Sequence, residues 1–439
     1  MISLVKLGKT LFPINRSLTG SGNLKTLKIL KKHLPKLKIK YFKTNKKVYD
    51  WKIPSEYNVS NAYIEDKLGR KIIDFKKNNL HLVGYSTNVN KFINKNDLLN
   101  RIHTFPNDTK AIPYITSYYK KYWGFCLAKM EKDKIKIKYK DDDLFHVVID
   151  SKFKEKGMMH YGEIIIPGKS KKEILVSTYI CHPSMANNEL SGPLVTLAVA
   201  NFFFKKKNKK TLRIIFVPET IGAIAYINKN YKNLRKIIGG YVLTCIGDEK
   251  NFSLLFSKYK SSISDIAAIN AFKKFGIKFK RYSFLERGSD ERQFNSPGVD
   301  LEISSIMKSK YGEYKEYHTS KDNFNIVTQK GLRDGFKIAK QSIINLMNTQ
   351  IINEKRDKKI NNPMSKYLCE PFLTKRNLVD TLSAYKAKST KANFRKKLLD
   401  FLQYADGSNN LDQIGKFIKL QKKEVNKIFQ ICKKEKLIL

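Results

Sequence analysis

The sequence predicts an α/β fold: a mostly parallel sheet with helices on both faces, a β-rich insertion before it and a small helical module after it. Three observations predict this. Apolar runs alternate with helix-period segments from Gly162 to Leu243, the pattern of a sheet covered by helices. From Val48 to Asp150 the texture is instead short strand-like pieces divided by turn signals. Beyond Asn361-Asn362-Pro363, which reads as a linker, the pattern becomes helical and short-period. A chain of 439 residues, 41% hydrophobic, is long enough for two or three domains with a core each.

The elements follow in order. Asn15-Arg16-Ser17-Leu18-Thr19-Gly20-Ser21-Gly22 is a polar turn. Leu24, Leu27, Ile29, Leu30 and Leu34 mark a helix that stops near Pro35. The turn could present backbone N–H groups to an anion, but a plain helix entry is the preferred reading. Ala62-Tyr63-Ile64, Lys71-Ile72-Ile73-Asp74-Phe75 and Trp123-Gly124-Phe125-Cys126-Leu127 read as strands, and Asp66-Lys67-Leu68-Gly69 as a hairpin tip. Dense aromatics, as in Ile112-Pro113-Tyr114-Ile115-Thr116-Ser117-Tyr118-Tyr119, indicate a small β-rich core ahead of a carbohydrate- or base-stacking platform. Glu163–Pro167, Glu173–Val176, Arg213–Pro218 and Gly239–Leu243 read as buried strands, with helices after His182 and over Ala223–Ile227. Near the end, Leu398–Leu402, Leu411–Ile418 and Val425–Ile431 mark three short helices before a terminal Leu437-Ile438-Leu439, a pattern that suits a winged helix. The expected division is a discontinuous α/β domain (1–47 and 151–355), a nested β-rich domain (48–150) and a winged-helix domain (363–439).

The formal charge is +47. Such a balance fits nucleic acid or an anionic surface as partner. The lysines are spread along the chain rather than gathered in a block, so a general compositional bias is the simpler account. The expected last reading helix, Lys422-Lys423-Glu424-Val425-Asn426-Lys427, carries Lys and Asn that can touch phosphates and bases, but also Glu424. A contact role is therefore expected ahead of DNA reading. Five scattered cysteines without a CxxC pair point to a reducing compartment. No stretch reaches the ~18 apolar residues of a membrane span, and the N-terminus does not read as a signal peptide. A cytoplasmic location is expected, and self-association is left open.

The polar residues that can carry chemistry begin where strands should end. After Ile174-Leu175-Val176 comes Ser177-Thr178-Tyr179-Ile180-Cys181-His182-Pro183-Ser184-Met185-Ala186-Asn187-Asn188-Glu189-Leu190-Ser191-Gly192, and open α/β sheets bind ligands beyond the carboxyl ends of their strands. Glu219, Gly288-Ser289-Asp290-Glu291-Arg292 and Glu316-Tyr317-His318-Thr319-Ser320-Lys321-Asp322 fall at similar positions. Two histidines and a carboxylate can hold zinc with a position open for water, and a free carboxylate beside it can act as general base. Each residue also has a plainer use. Asp290 and Glu291 can pair with Arg292, and Glu219 can favour the start of the next helix.

Four stretches carry a resemblance: Ile112–Tyr119 with Trp123–Leu127, then Cys181-His182-Pro183-Ser184, then Asp290-Glu291-Arg292-Gln293-Phe294, then Glu316-Tyr317-His318-Thr319-Ser320. At these the chain resembles uncharacterised aminopeptidase-like proteins that join a zinc-aminopeptidase-type domain, a nested domain and a C-terminal winged helix. The resemblance implies a phosphorylase/hydrolase-like α/β/α sandwich and a surface-polysaccharide setting. It implies His182 and His318 as metal ligands and Glu219 as general base. Asn188, Thr220 and Thr244 stand where the wider zinc-aminopeptidase pattern has three ligand carboxylates. Two zinc ions would leave their charge poorly offset in a crevice of low dielectric. One zinc is therefore expected, held by His182, His318, Asn188 and Asp290, with Glu189, Glu291 and Arg292 as additional site residues. The expected reaction is hydrolysis of a peptide or amide bond in a small substrate. The opposing expectation is a catalytically inactive scaffold or ligand-binding protein whose winged helix makes an interaction or binds DNA.

Overall fold

A computed structural model describes residues 3–106, 108–350, 357–376, 378 and 390–439. The expected boundary at residue 355 lies outside the described residues, as do the first two residues of the N-terminal segment. The main sheet has eight strands, in the order Lys38–Lys43, Met158–Ile166, Asn208–Val217, Gly168–Tyr179, Ile237–Leu243, Ile303–Met307, Ser253–Leu255 and Lys280–Tyr282. The four strands from Asn208–Val217 to Ile303–Met307 are mutually parallel. The sheet is mixed rather than mostly parallel, because antiparallel strands flank these four: Met158–Ile166 runs antiparallel to Asn208–Val217, and Ser253–Leu255 runs antiparallel to Ile303–Met307 though parallel to Lys280–Tyr282.

The inner strands are apolar on both faces, as a doubly covered sheet requires. On Gly168–Tyr179, Ile174 and Val176 enter the core beneath the helices Ser191–Phe204 and Gln329–Asn348, with Leu194 and Ile338. Leu175 faces the other way, towards Ile224 and Tyr226 of the helix Ile221–Leu234. Alternation with period two thus serves two cores at once.

A separate antiparallel sheet has four strands, Lys71–Asp74, Glu56–Glu65, Leu144–Lys154 and Val89–Asn94 in that order. Ala62, Ile64, Phe145, Val147 and Ile149 form its buried side. The Asp66–Gly69 turn is a hairpin tip: Asp66 Oδ1 accepts from the N–H groups of Leu68 and Arg70 at 3.0 Å each. Of the Trp123–Leu127 run only Phe125–Cys126 pairs as a strand. The helix Lys129–Lys138 in this region gave no clear signal in the sequence, because seven of its ten residues are charged and Met130, Ile135 and Ile137 make no continuous apolar face.

The helix Ser21–His33 starts at Gly20, and Asn58 Oδ1 accepts from the Ser21 N–H at 2.8 Å. An internal side chain thus fills the role an anion would have at that turn. At the C-terminal end, the helices Thr390–Tyr404, Leu411–Ile418 and Lys422–Lys434 pack together, and Ser365 bridges Ile438.

Gly192 sets how closely the first covering helix approaches the sheet. A Cβ there would lie 2.3 Å from the Leu243 carbonyl oxygen and 2.4 Å from Thr178 Oγ1. Backbone cannot yield as a flexible side chain can, so Gly192→Ala is expected to cost about 1–3 kcal/mol, at the upper end of overpacking. Urea unfolding of the two proteins measures it; an unchanged midpoint would show that the helix shifts freely.

Candidate active site

The parallel strands end level with one another, Tyr179 opposite Val217 and Ser177 opposite Val242. His182, Glu219 and Thr244 follow these ends, so the topology brings them to one crevice. His182 is buried, and its carbonyl accepts from Arg16 Nε at 3.0 Å. Its Nδ1 lies 2.6 Å from Glu189 Oε2. The Nδ1–H therefore donates to the carboxylate, which fixes the ring and turns Nε2 to the crevice, 3.6 Å from Glu219 Oε2. Arg16 Nε stands 3.9 Å from Glu189 Oε1, and both side chains are wholly inaccessible. Burial opposes the imidazolium, but Cys181 and Glu189 outweigh it and hold His182 well above the ordinary histidine range.

His318 reaches the same place from the other side, with its backbone at φ +54°. Its ring stacks on Tyr317 at 3.9 Å, and its centroid is 5.5 Å from that of His182. Tyr114 stands edge-on to both histidines, 5.2 Å from each. His318 Nε2 is buried without a hydrogen-bond partner. Burial and the charge of His182 hold His318 well below the ordinary range, so it is a neutral imidazole.

Asn188 sits in a wide helical turn, Ala186–Leu190. Asp322 builds that turn. Its Oδ1 accepts from the N–H groups of Ala186 and Asn187 at 3.1 and 2.5 Å, and its Oδ2 from Asn188 N–H and Tyr314 OH at 2.9 and 2.8 Å. Asn188 Nδ2 donates to Tyr179 OH at 2.7 Å, leaving its Oδ1 buried and without a partner. Thr244 Oγ1 is 2.5 Å from Tyr179 OH and donates to the Asn188 carbonyl at 3.1 Å.

Glu219 is presented on a strained turn. Thr220 has φ +62° and ψ −77°, and the Ile221 N–H donates to the Glu219 carbonyl at 2.8 Å. This is a γ-turn of the rare, strained hand, unusual for a β-branched residue. Asp290 Oδ1 holds the turn by accepting from Thr220 N–H at 2.7 Å, and Ser289 Oγ donates to Glu219 Oε1 at 2.8 Å. Asp290 Oδ2 is buried without a partner. Burial raises the pKa of Glu219 despite the pull of His182 and Arg292, and burial together with Glu219 raises that of Asp290.

Glu291 is fully engaged elsewhere. It accepts from Gly288 N–H, Ser289 N–H and Tyr311 OH on Oε1, at 2.9, 3.0 and 2.8 Å, and from Ser305 Oγ on Oε2 at 2.9 Å. Arg292 Nη2 donates to Thr220 Oγ1 at 2.5 Å. Among the described residues, Cys181, His182 and Glu189 are the one trio of His, Cys, Asp and Glu side chains whose ligand atoms all lie within 4.8 Å of one another. His182, His318 and Asp290 do not form such a trio. In the Cys181 group, burial pushes the thiol up to about 11, its sulfur accepts from the Glu219 N–H at 3.2 Å, and Glu189 already takes the proton on His182. That trio has the form of a support for His182.

Arg16, Tyr179, Tyr314 and Asp322 were not among the expected site residues. Arg16 lies 166 residues from His182, and nothing in the sequence links them. The description "domain of unknown function (DUF4910)" matches residues 5–350. The chain belongs to this family. A winged helix-turn-helix family matches residues 362–439. A Clostridium acetobutylicum protein, provisionally named a polysaccharide biosynthesis protein with an aminopeptidase-like domain, is 40% identical over 84% of this chain and 81% of its own length. A crystal structure of a provisionally named peptidase from the same organism is 35% identical, with a TM-score of 0.75 over 99% of this chain and 95% of that one. A zinc aminopeptidase from Bacillus subtilis shares the fold at 12% identity, with a TM-score of 0.58 over 78% of this chain and 92% of its own. The fold is thus the aminopeptidase-like α/β/α sandwich with a C-terminal winged helix.

Asp322→Asn replaces one accepting oxygen with a donor that faces N–H groups. It is expected to cost ~2–3 kcal/mol, because buried donors lose their partners. Urea unfolding measures this, and a loss below ~0.5 kcal/mol would mean that the turn stands without the carboxylate.

Proposed function

We propose that the crevice is the active site of a metallohydrolase that cleaves a peptide or amide bond in a small substrate, with one zinc ion. The observation that carries the reading is a set of buried acceptors with no donor: His318 Nε2, Asn188 Oδ1 and Asp290 Oδ2. Buried polar atoms without partners are rare, and a cation is a partner that an imidazole nitrogen, an amide oxygen and a carboxylate oxygen can each accept. The two imidazole centroids, 5.5 Å apart, stand about as far apart as two histidines on one tetrahedral ion. Glu189 on Nδ1 of His182 is the kind of outer carboxylate that orients a metal-binding histidine. His182 and His318 would hold the ion, with Asn188 as an oxygen donor; Asp290 would join them only by closing up, since its carboxylate and the two imidazoles do not lie within 4.8 Å of one another. Two ions do not fit, since Thr220 Oγ1 faces Arg292 and Thr244 Oγ1 is bonded to Tyr179.

When bound, zinc supplies a water acidified towards neutral pH. Glu219 supplies the proton transfer. Its raised pKa suits it to hold a proton and to give it up to the leaving nitrogen. Ser289 anchors one of its oxygens and leaves the other on the His182 side. The name of the Clostridium relative supports a place in polysaccharide biosynthesis. Five free, buried cysteines support a reducing, cytoplasmic setting, and no helix among the described residues is long and apolar enough to cross a membrane.

Protein purified without a chelating tag is expected to carry about one equivalent of zinc, and chelation should lower its melting temperature, since ligand binding to the folded state stabilises it. Less than ~0.2 equivalents, not restored by dialysis against zinc, would leave the inactive scaffold as the better reading. Once a screen of aminoacyl, acyl-amino-sugar and peptide amides yields a substrate, Glu219→Gln should lose ~10²-fold or more in turnover and keep its zinc. Loss of zinc instead would make Glu219 a ligand.

A further inference from the structure

The C-terminal module is fused into the body of the protein. Leu398, Phe401, Leu402 and Tyr404 share one apolar core with Cys245, Tyr311 and Tyr314, which border the crevice. The expected linker is itself held: Asn362 Nδ2 donates to the Gly407 carbonyl at 3.1 Å, and Gly407 N–H donates to the Pro363 carbonyl at 3.0 Å.

Polar contacts run from this module to the loop that carries Asp290. Arg287, buried, pairs with Asp400 of the helix Thr390–Tyr404 at 2.5 Å and with Glu370 at 3.3 Å. Gln403 Nε2 donates to the Arg292 carbonyl at 2.9 Å and to Glu370 Oε1 at 3.1 Å. Glu370 Oε2 lies 3.6 Å from Arg292 Nη1, and the Glu370 N–H donates to Gln293 Oε1 at 2.9 Å. Arg292 then reaches Thr220, Asp290 holds the Thr220 N–H, and Ser289 holds Glu219. From Gln403 to Glu219 the contacts are unbroken.

We propose that the C-terminal module is a fixed wall of the crevice, and that Glu370 and Gln403 are positioning residues that set Arg292 and, through it, the strained turn presenting Glu219. The physical reason is the turn itself. A non-glycine residue at φ +62° persists only where its surroundings over-determine it. Here they do so through Arg292 and Asp290, both on the short segment that the module grips. The inference rests on the reading of this crevice as the active site, but the contacts are there whether or not a metal binds.

Amide hydrogen exchange of the full-length protein, read by mass spectrometry, tests it without zinc or substrate. Gln403→Met keeps size and removes the donor. Exchange is expected to rise about fivefold in the peptides spanning residues 218–224 and 289–296, the size of effect that one or two lost hydrogen bonds produce in a local opening. The distant strand Leu144–Lys154 should be unchanged. A rise confined to residues 369–370 and 390–404 would overturn the proposal, as would a uniform rise over the whole chain, which marks plain destabilisation. Should Gln403→Met not fold, Glu370→Gln is read by the same peptides and the same criteria. Zinc-free protein would sink the hydrolase reading and leave this one standing; an unchanged 218–224 peptide would do the reverse.

Discussion

Everything at the crevice depends on a buried line of charge: Arg16, Glu189 and His182. Arg16 comes from the turn before the first long helix, Glu189 from the turn after the central strand, and His182 from that strand's end. Burial alone lowers the pKa of Arg16, and Glu189 offsets part of the penalty. An isolated guanidinium or carboxylate at this depth would be prohibitively costly, and removing one partner of such a pair typically costs about 3–5 kcal/mol. The arrangement therefore fixes three segments at once. It also sets the proton on His182 Nδ1 and turns Nε2 to the crevice, where a bound cation would take the place of the second proton of the imidazolium.

The rest of the crevice is short of positive charge on its carboxylate side. Glu219 and Asp290 both have raised pKa values, because burial penalises each and Asp290 also feels Glu219. Arg292 faces both but also Glu370 and Glu291, so one guanidinium serves several carboxylates. On the histidine side the imbalance is opposite. Burial, and then the charge of His182, lower the pKa of His318 and keep it neutral. A neutral imidazole with a free buried Nε2 beside under-compensated carboxylates is the feature on which the proposed single ion rests.

The fold was largely legible in the sequence, because buried parallel strands such as Ile174-Leu175-Val176 are short apolar runs and the helices between them have their own period. The sheet's antiparallel flanks were not, since run and period say nothing about direction. Ser253–Leu255 and Lys280–Tyr282 are only three residues each, too short to leave a pattern. Within the site, His182, Glu219, Asp290 and His318 stood out as polar residues at strand ends. Arg16 and Asp322 did not, since their partners are backbone groups and side chains set by tertiary folding. Asp322 fell within an expected cluster, but the turn it caps lies 134 to 136 residues away. Glu291, expected as an additional site residue, is bound by hydroxyl and backbone donors that only the folded loop assembles.

The net charge of +47 looks at first like a reason to read the C-terminal module as a nucleic-acid binder. The packing weighs against giving it that weight. In the helix Lys422–Lys434, Val425, Ile428 and Cys432 are buried, while Glu424 lies 2.6 Å from Lys397 and Lys422 lies 4.0 Å from Asp412. Some of its charge is thus answered within the module. Phe417, from the preceding helix, stacks on Tyr404 at 4.9 Å and meets Tyr259 edge-on at 5.5 Å, so part of the module's surface is taken up by the α/β body. Lysines elsewhere are spread over the whole chain and would draw any polyanion through released counterions, with an affinity that collapses as salt rises. Charge of this kind carries no address. What distinguishes this module is its inner face, where Asp400 and Gln403 meet the loop behind the crevice. On the proposal above, the functional weight of the winged helix falls there.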